Sequence, residues 1–374
     1  AQARTAADRR SIGAEFLRQV RRGPRRVAVR DFRGQMSRLR LAAVALTLIP
    51  LLGLEEDEER VGVVLPPGQG GALVNLALAL DGRSSVNLNH TTGAAQLERM
   101  CQLAGIRTVL TSRLYLERIG EPVLPGRRVM AEDLIPRLDK KRVLLNMLRV
   151  LLLPPGRLDK GRPDKVFTII FSSGTTGDPK GVQITHRQLL YNCDAVMAHL
   201  ELFPERDVVV SPLPLFHSFG LIPGLWMGLL GGLPVAGQAD PRDGKQLGEL
   251  IQAAGGTILI STPTFVRGYL RRFNAEQLTS LRLAVVGAER CPAELKQSFR
   301  EAFGTELLEG YGCTELSPAA AVNTPQANRD GTVGRPLPGI EILTMDPETR
   351  ELLPPGREGL LVVRSPGRML GYLN

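Results

Sequence analysis

From about Glu58 onward, short runs of apolar and β-branched residues alternate with longer stretches whose apolar positions recur at helical spacing. The pattern predicts a buried strand over 61–65 and an apolar helix over 71–80. Segments 85–88, 94–103 and 107–110 repeat the strand, helix, strand rhythm. Further strands are predicted over 166–171, 207–210, 257–260, 283–286 and 306–308. Helices fit between them over 187–199, 245–254, 264–272 and 293–303, the last opened by Cys291-Pro292. Near-continuous apolar strands separated by helices imply an α/β fold with parallel-rich sheets covered on both faces. After Gly331 the helices stop, and 340–345 and 359–363 read as short strands between Pro/Gly turns. The expected division is a basic leader over 1–54, an α/β core over 55–330 and the start of a small β subdomain over 331–374.

Two apolar stretches call for a membrane test. Residues 41–54 are uncharged but too few to cross a bilayer, and they contain Pro50. Residues 208–239 lack Asp, Glu, Lys and Arg, yet Pro212, Pro214, Pro223 and Pro234 interrupt them, so a buried strand, loop and helix is expected. Residues 132–153 place Arg137, Lys140, Lys141, Arg142 and Arg149 among leucines before Pro154-Pro155, which predicts a basic amphipathic helix from Pro136.

Charge changes the picture less than its total suggests. The chain carries 47 Lys+Arg against 38 Asp+Glu, a formal +9. The first forty residues hold twelve Arg, no Lys and three acids, so they account for the whole excess. The remainder is formally neutral, which excludes a nucleic-acid-coating protein. The four cysteines, Cys101, Cys193, Cys291 and Cys313, form no C-x-x-C pair and no zinc spacing, and read as thiols of a reducing compartment. No apolar segment of a secretory signal follows the Arg-rich start. A cytoplasmic protein is expected, with peripheral contact to the inner face of a membrane through 1–54 or 132–153.

The densest chemical signal is Phe171-Ser-Ser-Gly-Thr-Thr-Gly-Asp-Pro-Lys-Gly181. Gly174 and Gly177 let backbone N–H groups converge, while Ser172, Ser173, Thr175 and Thr176 add hydroxyls and Lys180 a point charge. Donors dominate over the single acid Asp178, which suits a polyphosphate. The spacing is not that of a Walker A loop, since Pro179 stands where that loop needs Gly.

This loop resembles the phosphate loop of the adenylate-forming enzymes, the superfamily of acyl-CoA synthetases, firefly luciferase and peptide-synthetase adenylation domains. Further motifs follow in that family's order: Pro214-Leu-Phe-His-Ser-Phe-Gly220, Val286-Gly-Ala-Glu289, Gly310-Tyr-Gly-Cys-Thr-Glu315 and Val333-Gly-Arg-Pro336. Val86-Asn-Leu-Asn89, the stretch 107–113 and Leu308-Glu-Gly-Tyr-Gly312 with Ser317-Pro318 are similar to the acyl-acyl carrier protein synthetases. That branch includes the synthetase half of the 2-acylglycerophosphoethanolamine acyltransferase fusion protein.

The resemblance implies an AMP-forming acid–thiol ligase. It would activate a long-chain fatty acid with ATP and Mg²⁺ to acyl-AMP, releasing pyrophosphate, and pass the acyl group to acyl carrier protein or to coenzyme A. It implies that Ser172, Thr175, Thr176 and Lys180 hold the β- and γ-phosphates, with Ser173, Gly174 and Gly177 in the same loop. Thr314 would contact the α-phosphate and Glu315 would bind Mg²⁺. Tyr311 would stack on adenine between Gly310 and Gly312, with Gly287, Ala288 and Glu289 lining the base. His217 would orient the acyl carboxylate, beside Phe219 and Trp226. The apolar run Leu221, Ile222, Leu225, Trp226, Leu229 and Leu230 is either core or the wall of an acyl tunnel. His90, His186 and His199 receive no role.

Other classes fit poorly. No G-x-S-x-G elbow occurs, and no His has an Asp five residues on. Gly310-Tyr-Gly312 lacks the third glycine of a dinucleotide fingerprint. The rival reading is a nucleotide- or acyl-binding module without catalysis. In the family, a ribose-binding Asp and a mobile domain bearing a catalytic lysine follow the position of Asn374. A chain ending there is expected to bind ATP weakly and to form adenylate poorly.

Overall fold

A computed structural model describes residues 10–173 and 178–373. Among them, a nine-stranded sheet has the order Arg335–Pro336, Ala319–Val322, Leu307–Gly312, Leu283–Val286, Ile258–Ser261, Val209–Ser211, Val235–Gly237, Val27–Asp31, Gly34–Ser37. Its six central strands, from Leu307–Gly312 to Val27–Asp31, are parallel, and the edges are antiparallel. A seven-stranded sheet runs Gly371–Leu373, Pro179–Thr185, Val166–Ser173, Ser84–Asn87, Arg60–Val63, Thr108–Thr111, Arg127–Met130. Here Val166–Ser173 through Arg127–Met130 are parallel, and Pro179–Thr185 folds back on Val166–Ser173 as an antiparallel hairpin.

The apolar pattern explains the layering. The largest core joins both sheets: Val61 and Phe167 from one meet Val209, Ile258 and Leu308 from the other, with helices packed between. One of these, Gln69–Asp81, buries nine residues and lacks a polar face, as expected of a helix enclosed on all sides. Two further cores cover the outer faces. Leu247, Ile251 and Phe299 pack on the nine-stranded sheet, and Leu97 and Met100 on the seven-stranded one. The expected α/β class and both-face coverage are therefore observed. Glu341–Met345 pairs antiparallel with Leu360–Arg364 in a small third sheet.

Two expectations need correction. Residues 10–54 are not a separate leader. Helix Ile12–Arg22 buries Ile12, Phe16, Leu17 and Val20 in the joint core, and Val27–Asp31 is a strand beside Val235–Gly237. Several of the arginines there are structural. Arg38 is buried and donates to the carbonyls of Gln19 (3.2 Å) and Gly232, and Arg21 donates to the carbonyl of Val150 at 3.1 Å. The basic helix also starts later than Pro136. That proline sits in a single 3-10 turn, Ile135–Arg137, and the helix proper is Lys140–Leu152. Asp139 caps it by accepting from the Lys141 N–H at 2.9 Å, a stronger start signal than the proline.

The stretch 208–239 forms a strand, a broken helical segment and a second strand, with the turn Ile222–Trp226 widened to π geometry. Among the described residues, no helix is long and apolar enough to cross a membrane.

Candidate active site

Five parallel strands of the nine-stranded sheet end at one cavity. Leu213 and Pro214 follow Val209–Ser211; Ala239 and Asp240 follow Val235–Gly237; Thr262 follows Ile258–Ser261; Gly287 and Ala288 follow Leu283–Val286. Strand Leu307–Gly312 contributes its own last residues. The seven-stranded sheet faces the same space with His90, Tyr115 and Ser172, also at or beyond strand C-termini. The cavity measures about 960 Å³. The carboxyl ends of parallel strands are where open α/β sheets hold ligands, because the helix N-termini and the connecting loops gather there.

The motifs that are remote in sequence meet here. His217, Phe219, Gly287, Ala288, Gly310, Tyr311, Gly312, Thr314, Glu315 and Ser172 all line the cavity. His217 stands just before the short helix Ser218–Leu221, and Gly220 makes the tight turn feasible. A Cβ on Gly220 would lie 2.3 Å from the carbonyl oxygen of Pro214. Desolvation lowers the pKa of His217, so the imidazole is neutral near neutral pH even though the residue is exposed in the cleft. Phe216 packs against it at 4.6 Å between ring centroids.

Tyr311 stays 37% exposed in the cavity wall. Desolvation and the nearby Cys313 and Glu315 raise its pKa, so it remains a neutral phenol. Close packing places Gly312 against the backbone of Pro318, where a Cβ would come within 2.1 Å of the carbonyl oxygen. Ser218 Oγ and Thr314 Oγ1 lie 3.2 Å apart, forming a hydroxyl pair between the His217 segment and the Tyr311 segment. Glu315 Oε1 accepts from the Tyr372 hydroxyl at 2.9 Å, and Lys180 Nζ sits 5.6 Å from the centre of the Tyr372 ring.

Some expected site residues lie elsewhere. Trp226 does not line the cavity. It is fully buried, meets Phe167 edge-on at 5.1 Å, and belongs to the joint core with Leu221, Ile222, Leu225, Leu229 and Leu230. The helical spacing of that run therefore marks core, not a tunnel wall. The Glu289 side chain accepts from Thr264 N (2.9 Å) and Thr264 Oγ1 (2.8 Å), and the residue does not line the cavity. Gly174, Thr175, Thr176 and Gly177 lie outside the described residues, as does the Ser173 side chain.

Other wall residues carried no motif. His90 meets Tyr115 and Phe216 edge-on at 5.5 and 5.1 Å, and burial pushes its pKa down to about 4. Arg118 approaches Asp240 at 3.8 Å across the two sheets. Tyr372 does not line the cavity; it reaches Glu315 from the second sheet's edge, where its strand pairs antiparallel with Pro179–Thr185. The remaining histidines are structural: His186 Nδ1 accepts from Ile12 N at 3.2 Å, and His199 Nε2 lies 2.8 Å from the carbonyl of Val322.

Two sheets converging with their C-terminal ends on one cleft define an α/β ligand-binding architecture. The chain belongs to the AMP-binding enzyme family, whose match spans residues 16–373. It is similar to the 4-coumarate–CoA ligase of Pinus taeda, 28% identical over 336 residues, covering 86% of this chain and 62% of that protein. It is also similar to a long-chain-fatty-acid–CoA ligase of Escherichia coli O6:H1. That match is 32% identical over 219 residues, covering 56% of this chain and 38% of that one. The fold matches that of the anthranilate CoA ligase AuaEII in complex with anthranoyl-AMP, with a TM-score of 0.81 at 21% identity, covering 98% of this chain and 70% of that one. The chain thus spans less than two thirds of the length of these two ligases matched by sequence. The relatives are acyl- and aryl-CoA ligases; the expected closeness to acyl carrier protein synthetases is not among these findings.

Proposed function

We propose that the cavity binds ATP and a fatty acid and joins them as acyl-AMP, the first half of an acid–thiol ligase reaction. The observation that carries this reading is the single 960 Å³ space that brings together Tyr311, the Ser218–Thr314 hydroxyl pair, Glu315 and His217. In this reading Tyr311 stacks on adenine, while Gly287 and Ala288 line the base. Thr314 and Ser218 donate to the α-phosphate. Ser172 and Lys180 serve the β- and γ-phosphates together with Ser173, Thr175 and Thr176 of the adjoining loop.

The chemistry requires two anions to approach. A carboxylate oxygen attacks the α-phosphorus, the α–β bridging P–O bond breaks, and pyrophosphate leaves with the electron pair. Fixed donors aimed at the α-phosphate cost no reorganisation when charge builds there. A neutral His217 can donate one N–H to the acyl carboxylate without adding a mobile charge. A thiol of acyl carrier protein then attacks the acyl carbonyl and expels AMP. Coenzyme A, named in the relatives' activities, is the alternative acceptor.

Magnesium fits the acids present. Glu315 and Asp240 are the carboxylates of the cavity wall, and among the described residues no group of three or more His, Cys, Asp or Glu could cage a metal. Mg²⁺ is commonly held by one or two carboxylates plus substrate phosphates, so Glu315 would hold it, where it would neutralise phosphate charge.

With the run Leu221–Leu230 packed as core, Phe219, Phe265, Leu213 and Val285 remain as apolar walls for the acyl group. ATP–pyrophosphate exchange with a panel of fatty and aromatic acids tests the reading. Fatty-acid-dependent exchange, or tight binding of a palmitoyl-sulfamoyl-adenosine mimic, supports it. Exchange driven only by aromatic acids, or no binding of the mimic, overturns it. Thioester formation with purified carrier protein against coenzyme A decides the acceptor.

A further inference from the structure

We propose that the outward face of helix Lys140–Leu152 docks on an anionic lipid bilayer. The helix carries a second apolar stripe that the chain leaves exposed. Its inward side carries Asn146 and Val150, both buried, with Val143 and Met147 half-buried beside them; Asn146 Nδ2 donates to Thr47 Oγ1 at 3.0 Å. At 100° per residue, Leu144, Leu148 and Leu151 lie on the far side, with Leu145 and Leu152 beside them. These five leucines are 41% to 76% exposed. A surface helix normally buries its apolar stripe, so a stripe aimed at solvent marks a contact that the chain alone does not make.

Charge indicates what covers it. Lys140, Lys141, Arg142 and Arg149 are exposed along the same helix. Three of them crowd its first turn, where the helix dipole favours anions instead. Between Leu134 and Leu158 the only acid is Asp139, which is engaged in the N-cap. External negative charge would relieve this conflict. A second copy would bring the same cations face to face, whereas an anionic bilayer supplies both hydrocarbon for the leucines and phosphates for the cations. Long basic side chains can reach headgroups while an apolar face lies just below them. This inference is independent of the reaction assigned to the cavity.

Co-sedimentation of the whole chain with vesicles tests it, using phosphatidylcholine mixed with phosphatidylglycerol against phosphatidylcholine alone. The expected result is binding to the mixed vesicles that weakens as salt rises. Leu144→Ser with Leu148→Ser should weaken it about tenfold or more. Lys140→Gln, Lys141→Gln and Arg142→Gln together should weaken it by roughly fivefold per cation removed, on the anionic vesicles only. All the altered side chains are exposed, so an unchanged melting curve shows that the variants remain folded. Absence of binding by the parent chain overturns the proposal, as does equal binding by parent and variants. Sedimentation velocity gives a third decisive outcome: concentration-dependent dimerisation abolished by the leucine pair would show a second copy on this face instead.

Discussion

The Tyr372 hydroxyl donates to Glu315 Oε1 at 2.9 Å, joining two residues 57 positions apart. Tyr372 lies on the strand that pairs with Pro179–Thr185, and Glu315 lies in the turn after Leu307–Gly312. The bond therefore ties the hairpin of Val166–Ser173 and Pro179–Thr185 to the carboxylate proposed to hold Mg²⁺. Glu315 in turn raises the Tyr372 pKa by accepting that proton. Removing the hydroxyl leaves Glu315 less fixed while sparing the core, since Tyr372 is half exposed. Tyr372→Phe should weaken MgATP binding about threefold to tenfold. Metal-free ATP binding and the melting temperature should change little. Calorimetric titration with and without Mg²⁺ reads the difference, and equal losses in both would refute the link.

Gly287 and Gly312 should respond differently to the same substitution. A Cβ on Gly312 meets the Pro318 carbonyl oxygen at 2.1 Å, and that backbone cannot step aside cheaply. Gly312→Ala should cost about 2 kcal/mol or more by denaturant titration. On Gly287 the nearest atoms are the Gly310 carbonyl oxygen at 3.3 Å and the Phe219 ring at 3.6 Å. Gly287→Ala should keep stability within about 1 kcal/mol and instead raise KM for ATP by narrowing the part of the cavity proposed for the base. Equal stability losses at the two positions would contradict the packing described here.

Periodicity located the central strands and helices well because buried parallel strands are short apolar runs between turns. Leu283–Val286 and Ala293–Phe303 begin and end where the pattern placed them. It could not show that Val27–Asp31 joins the sheet, since that depends on pairing with Val235–Gly237 some two hundred residues away. His90 carries no motif, and its place in the cavity wall rests on contacts with Tyr115 and Phe216 that only the folded chain brings together. Phe219 and Trp226 sit seven positions apart in one apolar segment, yet one lines the cavity and the other the core. Trp226 packs fully inside against Phe167, while Phe219 is only partly covered by the same core.

Trp226, the one tryptophan, offers a direct check on that distinction. Its Nε1 is buried without a partner, so Trp226→Phe removes an unsatisfied donor while leaving a small void. The two effects oppose one another, and stability should change by no more than about 1.5 kcal/mol. The preference among acids of different length should stay unchanged in the exchange assay. In the parent chain, acrylamide should quench the fluorescence only weakly. A shift in chain-length preference would return Trp226 to the acyl site.

His186 should make the fold sensitive to mild acid. Its ring is buried beside Phe167, and Nδ1 accepts the Ile12 N–H at 3.2 Å, which fixes an uncharged imidazole. Burial, aided by Lys165, pushes its pKa down to about 4 from an ordinary 6.5. The unfolded chain takes up the proton first as pH falls, so stability is fully present above about 6.5 and is lost progressively down to about 4. At about 1.4 kcal/mol per unit, the loss reaches at most about 3 kcal/mol. His90 titrates in the same sense, and Asp159, raised by burial, in the opposite one. The comparison of parent with His186→Gln, whose amide oxygen can still accept from Ile12, isolates the His186 share. Urea midpoints measured between about pH 7.5 and 4.5 should fall faster for the parent than for the variant. Parallel curves would mean that His186 takes up its proton in the native state as readily as in the unfolded chain, and that Ile12 N–H donates elsewhere.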